Sequence, residues 1–412
     1  MAEVIPDARV GKPTSRPRLF DPRPARAALL CATAALLPVG YVLAGAVPLF
    51  VLWMWENAAA RRWPWEPTPL DRMLFLWLAL VGVSSVISPH RDLAVPNAVL
   101  LGLGPVAALA PTLRTLRERP GWVRNLFAAW VVGGVAAGSW VVWRYVHAAG
   151  GPGDLPQLGV NAAGTVLLAS SLVGLGLCAA GGTTLRVLGV AAQVPILAGL
   201  LATFSRGSWL GWVGGLVCFT LLAGARSRRT RWLAAALAGA AVAVVVAYLP
   251  VQARALSTLD PGRNQDRLLL WRASLRMAAE HPWVGVGFGA FVREYPKYRL
   301  PQDPNTAPPF AHNLPLSLAA ETGLLGLVAF AVFVGALLRY GWRSLQRAPP
   351  GELALQAGAA AALSGMLAQQ LVDGTLQSFH LGLGFWLLAA VLLAGQPTSD
   401  RVRGIPCRAF PS

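Results

Sequence analysis

Long apolar runs separated by short polar or proline-rich breaks fill most of this chain, and one polar stretch is far longer than the others. A helix needs about 17 to 25 mostly apolar residues to cross a bilayer, because every backbone amide must find its partner inside the segment. The pattern predicts twelve spans, at residues 27–38, 40–55, 70–87, 94–112, 124–147, 158–180, 184–203, 208–224, 231–249, 314–338, 354–372 and 380–395. Pro38 and Gly40 stand between the first two; read as one broken span, they would reverse the orientation of everything downstream. The predicted class is an all-α polytopic membrane protein with about 12 transmembrane helices and one large loop containing short helices. Residues 1–26 read as a cytoplasmic N-terminal segment, 27–249 as the first nine helices, 250–313 as the loop, 314–395 as the last three helices and 396–412 as a cytoplasmic tail.

Composition agrees: 55% of the residues are hydrophobic and 13% charged, outside the usual range of a soluble domain. The net charge of +17 does not point to nucleic acid, since the arginines sit in small groups beside span ends, where anionic headgroups attract them. With twelve spans and the N-terminus inside, the inner segments hold Arg9 to Arg26, Arg61, Arg62, Arg114 to Arg124, Arg226 to Arg231, Arg339 to Arg347 and Arg401 to Arg408. Short outer segments hold only Arg91, Arg144 and Arg206, the partition that the positive-inside bias expects. Arg16, Arg18, Arg23 and Arg26 before an apolar run resemble a signal peptide. No small-x-small cleavage site follows, so the run is read as an uncleaved first span. Cys31, Cys178 and Cys218 fall within spans and Cys407 in the tail, so no pair is placed to bridge the loop. No C-x-x-C, H-E-x-x-H or D-x-D occurs, and neither a metal nor a cofactor is expected.

The polar stretch carries Arg254, Arg263, Arg267, Arg272, Arg276, Arg293, Lys297 and Arg299 and closes on His312. A cationic loop on one face is equipped to hold an anionic ligand beside the bilayer. Asp260-Pro261-Gly262 opens it with a turn. Asp266 begins a helical pattern that runs to about Glu280, and His281-Pro282 ends it. On a helical wheel Leu268, Trp271, Leu275 and Ala278 make one stripe, which predicts that this helix lies along the membrane surface or against the span bundle. Arg267 flanks the stripe, about 40° from Trp271, whereas Arg276 points away. Arg267 is therefore either the inward-facing cation or a snorkelling interfacial arginine. Gly285, Gly287 and Gly289 permit close backbone approach, to a ligand or, in the plainer reading, within a tight turn packed on the bundle. Tyr295, Lys297, Tyr298 and Arg299 form a polar-aromatic cluster suited to sugars and phosphates, and the four prolines of Pro301 to Pro309 read as an extended flap.

His312 stands where the loop re-enters the membrane. Histidine is the side chain whose unperturbed pKa lies nearest neutrality, so one at this boundary can take a proton from a hydroxyl nucleophile or serve only as a hydrogen-bonding residue. Ser205-Arg206-Gly207-Ser208 joins spans seven and eight on the same side. Asp373, at the outer end of span eleven, is placed to orient a histidine or an arginine. Arg144 is another outer cation, equally explained by snorkelling.

Three patterns coincide: Ser205-Arg206-Gly207 closing a hydrophobic hairpin; Arg267-x-x-x-Trp271 followed by His281-Pro282 and the glycine run; and Ala311-His312-Asn313 followed by Glu321-Thr322-Gly323-Leu324-Leu325-Gly326. In this order they resemble the O-antigen ligase family of the Gram-negative inner membrane, over about residues 200–340. The resemblance implies transfer of O-antigen polysaccharide from undecaprenyl pyrophosphate to a sugar hydroxyl of lipid A core. The reaction would take place in the periplasm and complete lipopolysaccharide without a metal, with both termini cytoplasmic. It further implies that Arg206 and Arg267 bind the donor pyrophosphate and that His312 activates the acceptor hydroxyl. Arg144, Arg272, Tyr295 and Asp373 complete the expected substrate-binding set. Two guanidiniums offer fixed, always-charged forks of donors for a leaving pyrophosphate, a coherent alternative to a D-x-D-bound metal.

An O-antigen polymerase or a protein O-oligosaccharyltransferase shares this donor chemistry, and motifs near the donor site do not separate them. A transporter of lipid-linked saccharide would keep ionisable groups near the midplane, commonly in repeated halves. Here the span interiors are nearly free of charge, Glu321 being the main exception, and no internal repeat is evident.

Overall fold

The protein is described by a computed structural model covering residues 21–148, 151–156, 158–223, 265–303 and 305–395, with isolated positions between 228 and 256. Among the described residues there are helices and turns and no strand. In chain order the helices are α1 (Pro22–Leu36), α2 (Val42–Ala59), α3 (Asp71–Ile87), α4 (Arg91–Gly104), α5 (Ala110–Glu118), α6 (Trp122–His147), α7 (Gly159–Ala180), α8 (Thr183–Ala202) and α9 (Arg206–Leu222). Then come α10 (Gln265–Glu280), α11 (Phe291–Tyr298), α12 (Leu314–Arg347), α13 (Pro350–Gln369) and α14 (Phe379–Ala394). Among the described residues six stretches, α6, α7 and α12 among them, are long and apolar enough to cross a membrane. Most of the expected ninth span, 231–249, and the opening of the loop, with Arg254, Asp260-Pro261-Gly262 and Arg263, lie outside the described residues.

The first apolar region is two helices. Gly40, with φ 89°, reverses the chain between α1 and α2. The hairpin is closed at its far end by Arg26, which is 1% exposed and pairs with Glu56 of α2 and Glu118 of α5. Thr115 Oγ1 accepts a further bond from Arg26 Nε at 2.9 Å. A buried arginine needs such partners, because an unpaired charge in this setting costs several kcal/mol.

The expected span 94–112 runs longer, from Arg91 to Glu118. Pro105 has no N–H to offer the preceding turn, and the helix passes it by widening into one π-type turn, Pro105–Leu109. Helix α7 lies at the centre, enclosed by α6, α8, α9 and α13. Small residues allow this: a Cβ on Gly358 would sit 2.9 Å from Gly176 Cα, so α7 and α13 touch backbone to backbone.

Helix α12 is interrupted at Gly323, whose φ of 66° and ψ of −175° are not helical. The turn after α10 fills the gap. Val286 N–H donates to Ala320 O at 3.0 Å, Gly287 N–H to Glu321 O at 2.8 Å, and Leu324 N–H to Pro282 O at 2.7 Å, so the amides and carbonyls freed by the break are satisfied by the inserted turn. A Cβ on Gly285 would lie 2.3 Å from the Glu321 carbonyl carbon, and one on Gly323 2.2 Å from that of Trp283. Gly287 and Gly289 press in the same way on Ser88 and Asn97. The glycine run is thus a packing device.

Candidate active site

Three separate helix ends converge on the turn that follows α13. Leu314 N–H, at the start of α12, donates to Gln370 O at 2.8 Å. Asn313 both caps α12, accepting from Leu316 N–H at 3.0 Å, and donates from Nδ2 to Leu371 O at 2.7 Å. Gly207, in the first turn of α9, lies so close that a Cβ there would be 3.0 Å from Val372 Cγ2. From above, Arg267 of α10 donates from Nη1 to Val372 O at 2.6 Å.

His312 and Asp373 meet at this point. Nδ1 of the imidazole lies 3.1 Å from Oδ1 of the carboxylate. His312 keeps 29% of its side chain exposed while Asp373 keeps 1%. The same Oδ1 accepts from Gly374 N–H at 2.9 Å, which fixes the carboxylate plane. A carboxylate accepts only, so Nδ1 carries a proton, and in the neutral ring Nε2 then keeps the lone pair that a general base requires. The ring also stands edge-on to Phe310 at 4.9 Å. His312 adopts φ 51°, a left-handed conformation that costs a non-glycine residue energy. Strain of this kind persists where the surroundings dictate the geometry. Asp373, expected to orient a histidine or an arginine, orients the histidine.

Arg206 opens α9 and is part-buried. Phe204, two residues earlier, has φ 52° and turns the chain sharply into the helix. Ser205 is held by Asn161 Oδ1 at 3.0 Å and Ser208 Oγ at 2.8 Å. Arg206 therefore places a guanidinium at a helix N-terminus, a setting that favours anions. Sequence reading missed the network beneath: Thr165 Oγ1 bonds Gln369 Oε1 at 2.9 Å and Thr375 Oγ1 at 3.1 Å, and Gln370 Nε2 donates to Thr375 at 3.0 Å. These neutral residues sit inside apolar runs, where no local pattern marks them.

The other expected ligand contacts are placed differently. Arg144 pairs with Asp154 at 3.1 Å, and its neighbour Tyr145 packs on Phe204 with ring centroids 5.5 Å apart, so it borders the Arg206 hairpin. Arg272 is exposed on the outward face of α10. Tyr295 is fully buried and donates its hydroxyl to Asp303. Burial, and then that carboxylate, push the Tyr295 hydroxyl well above its ordinary pKa, and the residue braces the loop from within. The flap expected at Pro301 to Pro309 is pinned at its start, where Asp303 also accepts from Asn305 N–H at 2.9 Å.

The face of α10 needs correction as well. Leu269, Leu270, Ala273, Ser274 and Met277 are buried, whereas Leu268 and Leu275 of the expected stripe are exposed. The buried side joins Phe291, Tyr295 and Tyr298 of α11 and Ala320 of α12 in a small core of its own. Polar contacts tie this segment to the α3–α4 turn and the start of α4. Glu294 accepts from His90 Nε2 and Lys297 Nζ, each at 2.8 Å, and Arg293 meets Asp92 at 2.6 Å. Burial raises the pKa of Glu294, but the bonds to Lys297 and His90 outweigh it and hold the carboxyl below its usual range.

Residues 191–331 match the family described as O-antigen ligase. A curated O-antigen ligase from Pseudomonas aeruginosa is 29% identical over 154 residues, 37% of this chain. These matches support the O-antigen ligase family. The aligned stretch is 34% of that relative's length, so the chain spans about a third of it. The family segment contains Arg206, Arg267 and His312, whereas Asp373 and Arg144 fall outside it. The matched segment covers all three residues, and the structure brings two of them, Arg267 and His312, to the turn at residues 370–375.

Proposed function

We propose that the protein is an O-antigen ligase of the Gram-negative inner membrane, working at the periplasmic face. Its donor is O-antigen on undecaprenyl pyrophosphate and its acceptor a sugar hydroxyl of lipid A core. The His312–Asp373 pair beside Arg267 is the observation that carries this reading. His312 Nε2 takes the proton of the acceptor hydroxyl as its oxygen attacks the anomeric carbon. The bond from that carbon to the pyrophosphate oxygen breaks, and the electron pair leaves with undecaprenyl pyrophosphate. Asp373 accepts the Nδ1–H bond throughout and stabilises the imidazolium that forms. Arg206 and Arg267 neutralise the charge growing on the leaving group. A single displacement inverts the anomeric centre. Residues 250–313 act as a lid over the donor pocket.

Reconstituted protein supplied with lipid-pyrophosphate-linked glycan and lipid A core tests the proposal. The expected result is ligated product from the wild-type protein and none from His312→Ala, with donor binding retained. Product only when a second lipid-linked glycan or an acceptor protein replaces lipid A core would instead identify a polymerase or a protein O-oligosaccharyltransferase.

A further inference from the structure

Glu321 is a carboxylic acid with no exposed surface, in the first half of an apolar helix and without a cationic partner among its described contacts. Burying a carboxylate so is costly, and such groups persist where they hold something in place. Its two oxygens point to different parts of the molecule. Oε1 accepts from Phe291 N–H at 3.3 Å, the first residue of α11 in the lid. Oε2 accepts from Gln377 Nε2 at 2.8 Å, in the short turn Thr375–Gln377 that follows Asp373. The backbone of Glu321 is anchored separately, its carbonyl accepting from Gly287 N–H at 2.8 Å and Ser84 Oγ at 2.7 Å, so the side chain is a rigid strut.

The turn passes this restraint on. Gln377 N–H donates to Gly374 O at 3.1 Å, and Gly374 N–H donates to the Asp373 oxygen that holds His312. We infer that Glu321 is a positioning residue that ties the lid to the turn carrying Asp373, so that His312 is aligned only when the lid is seated. This rests on the ligase reading above, in which His312 is the base. Glu321 touches no reacting atom. Removing it would leave Phe291 N–H and the Gln377 amide without acceptors and loosen residues 374–377, while Arg267 keeps its bond to Val372 O on the other side of Asp373.

Steady-state transfer by purified full-length protein, with donor concentration varied, tests the link. Glu321→Ala is expected to lower kcat about 10- to 100-fold, since a misplacement of about 1 Å at a catalytic group can cost about 100-fold, with donor KM within about twofold. In combination with Asp373→Asn the losses should not multiply, because both act through the same imidazole. Gln377→Met breaks the same link without touching the buried carboxyl group, and it decides the matter if Glu321→Ala does not fold. Wild-type kcat in Gln377→Met, or multiplying losses in the double variant, overturns the inference. Absence of transfer by the wild-type protein overturns the ligase reading, and the link with it.

Discussion

Asp373→Asn is the most direct test of the proposed site. The substitution keeps size and shape, and an asparagine carbonyl oxygen in the place of Oδ1 can still accept from Gly374 N–H and His312 Nδ1, at the 2.9 Å and 3.1 Å seen for the carboxylate. What it removes is the negative charge beside the imidazolium. Hydrogen bonds to charged groups contribute about 1.5 to 3 kcal/mol. At about 1.36 kcal/mol per factor of ten, kcat should fall about 10- to 150-fold. The loss should lie in kcat rather than donor KM, since both arginines are untouched. The Asp373 Oδ2 position, buried and without a partner, becomes an NH₂ with no acceptor, so a small loss of thermal stability should accompany it. The assay is initial-rate ligation at saturating acceptor with donor titrated. Wild-type kcat in Asp373→Asn would refute the orienting role, and a rise in donor KM alone would reassign Asp373 to donor binding.

Arg267→Lys should raise donor KM about tenfold while the fold is kept. An ammonium on a flexible stem can reach Val372 O or an anion but does not reproduce the fork that serves both, and a donor titration reads this directly. Gly323→Ala would force a Cβ to within 2.2 Å of Trp283 C at a φ of 66°, so detergent-stable protein should be largely lost, as a fluorescence-detected size-exclusion profile would show. Because Glu294 has a lowered pKa, its clamp stabilises the lid above the usual carboxylate range of about 4.3 and loses this contribution as pH falls through the lowered value. Melting curves of wild type and Glu294→Gln should therefore differ at pH 7 and converge toward pH 3. Arg26→Ala leaves the Glu56 carboxylate buried and unpaired and should cost about 3 to 5 kcal/mol, measurable as a large drop in melting temperature.

Apolar length and proline breaks located α6, α7 and α8 within two residues at each end, because one physical requirement, backbone satisfaction in hydrocarbon, dictates both. Helix α10 was equally legible from Asp266 to His281-Pro282. Its buried face was not. The run Leu268-Leu269-Leu270 supplies apolar side chains around half the wheel, and only the contacts with α11 and Ala320 select Leu270 over Leu268. Arg206, Arg267 and His312 stood out because charge is rare in this chain. The partner of His312 was ambiguous because Asp373 is 61 residues away and is brought near by the lengths of two helices, which no local pattern records. The glycine run read correctly as packing, yet what it packs into, a broken turn of α12, is visible only in three dimensions.

Those helix lengths explain why Gly323 must break α12. Helices α12 and α13 meet at residues 347–350 and again where Leu314 bonds Gln370. At about 1.5 Å per residue, the 34 residues of a straight α12 would extend about 51 Å, whereas the 20 residues of α13 extend about 30 Å. A straight α12 would carry His312 about 20 Å past Asp373. Breaking it at Gly323 leaves 24 residues, about 36 Å, to match α13, and sends residues 314–323 back across the end of the bundle. The turn that fills the break comes from residues 282–287, and Glu321 lies two residues before Gly323. The spacing between His312 and Gly323 is therefore a geometric condition on the site: shorten it, and the imidazole cannot return to the carboxylate that orients it.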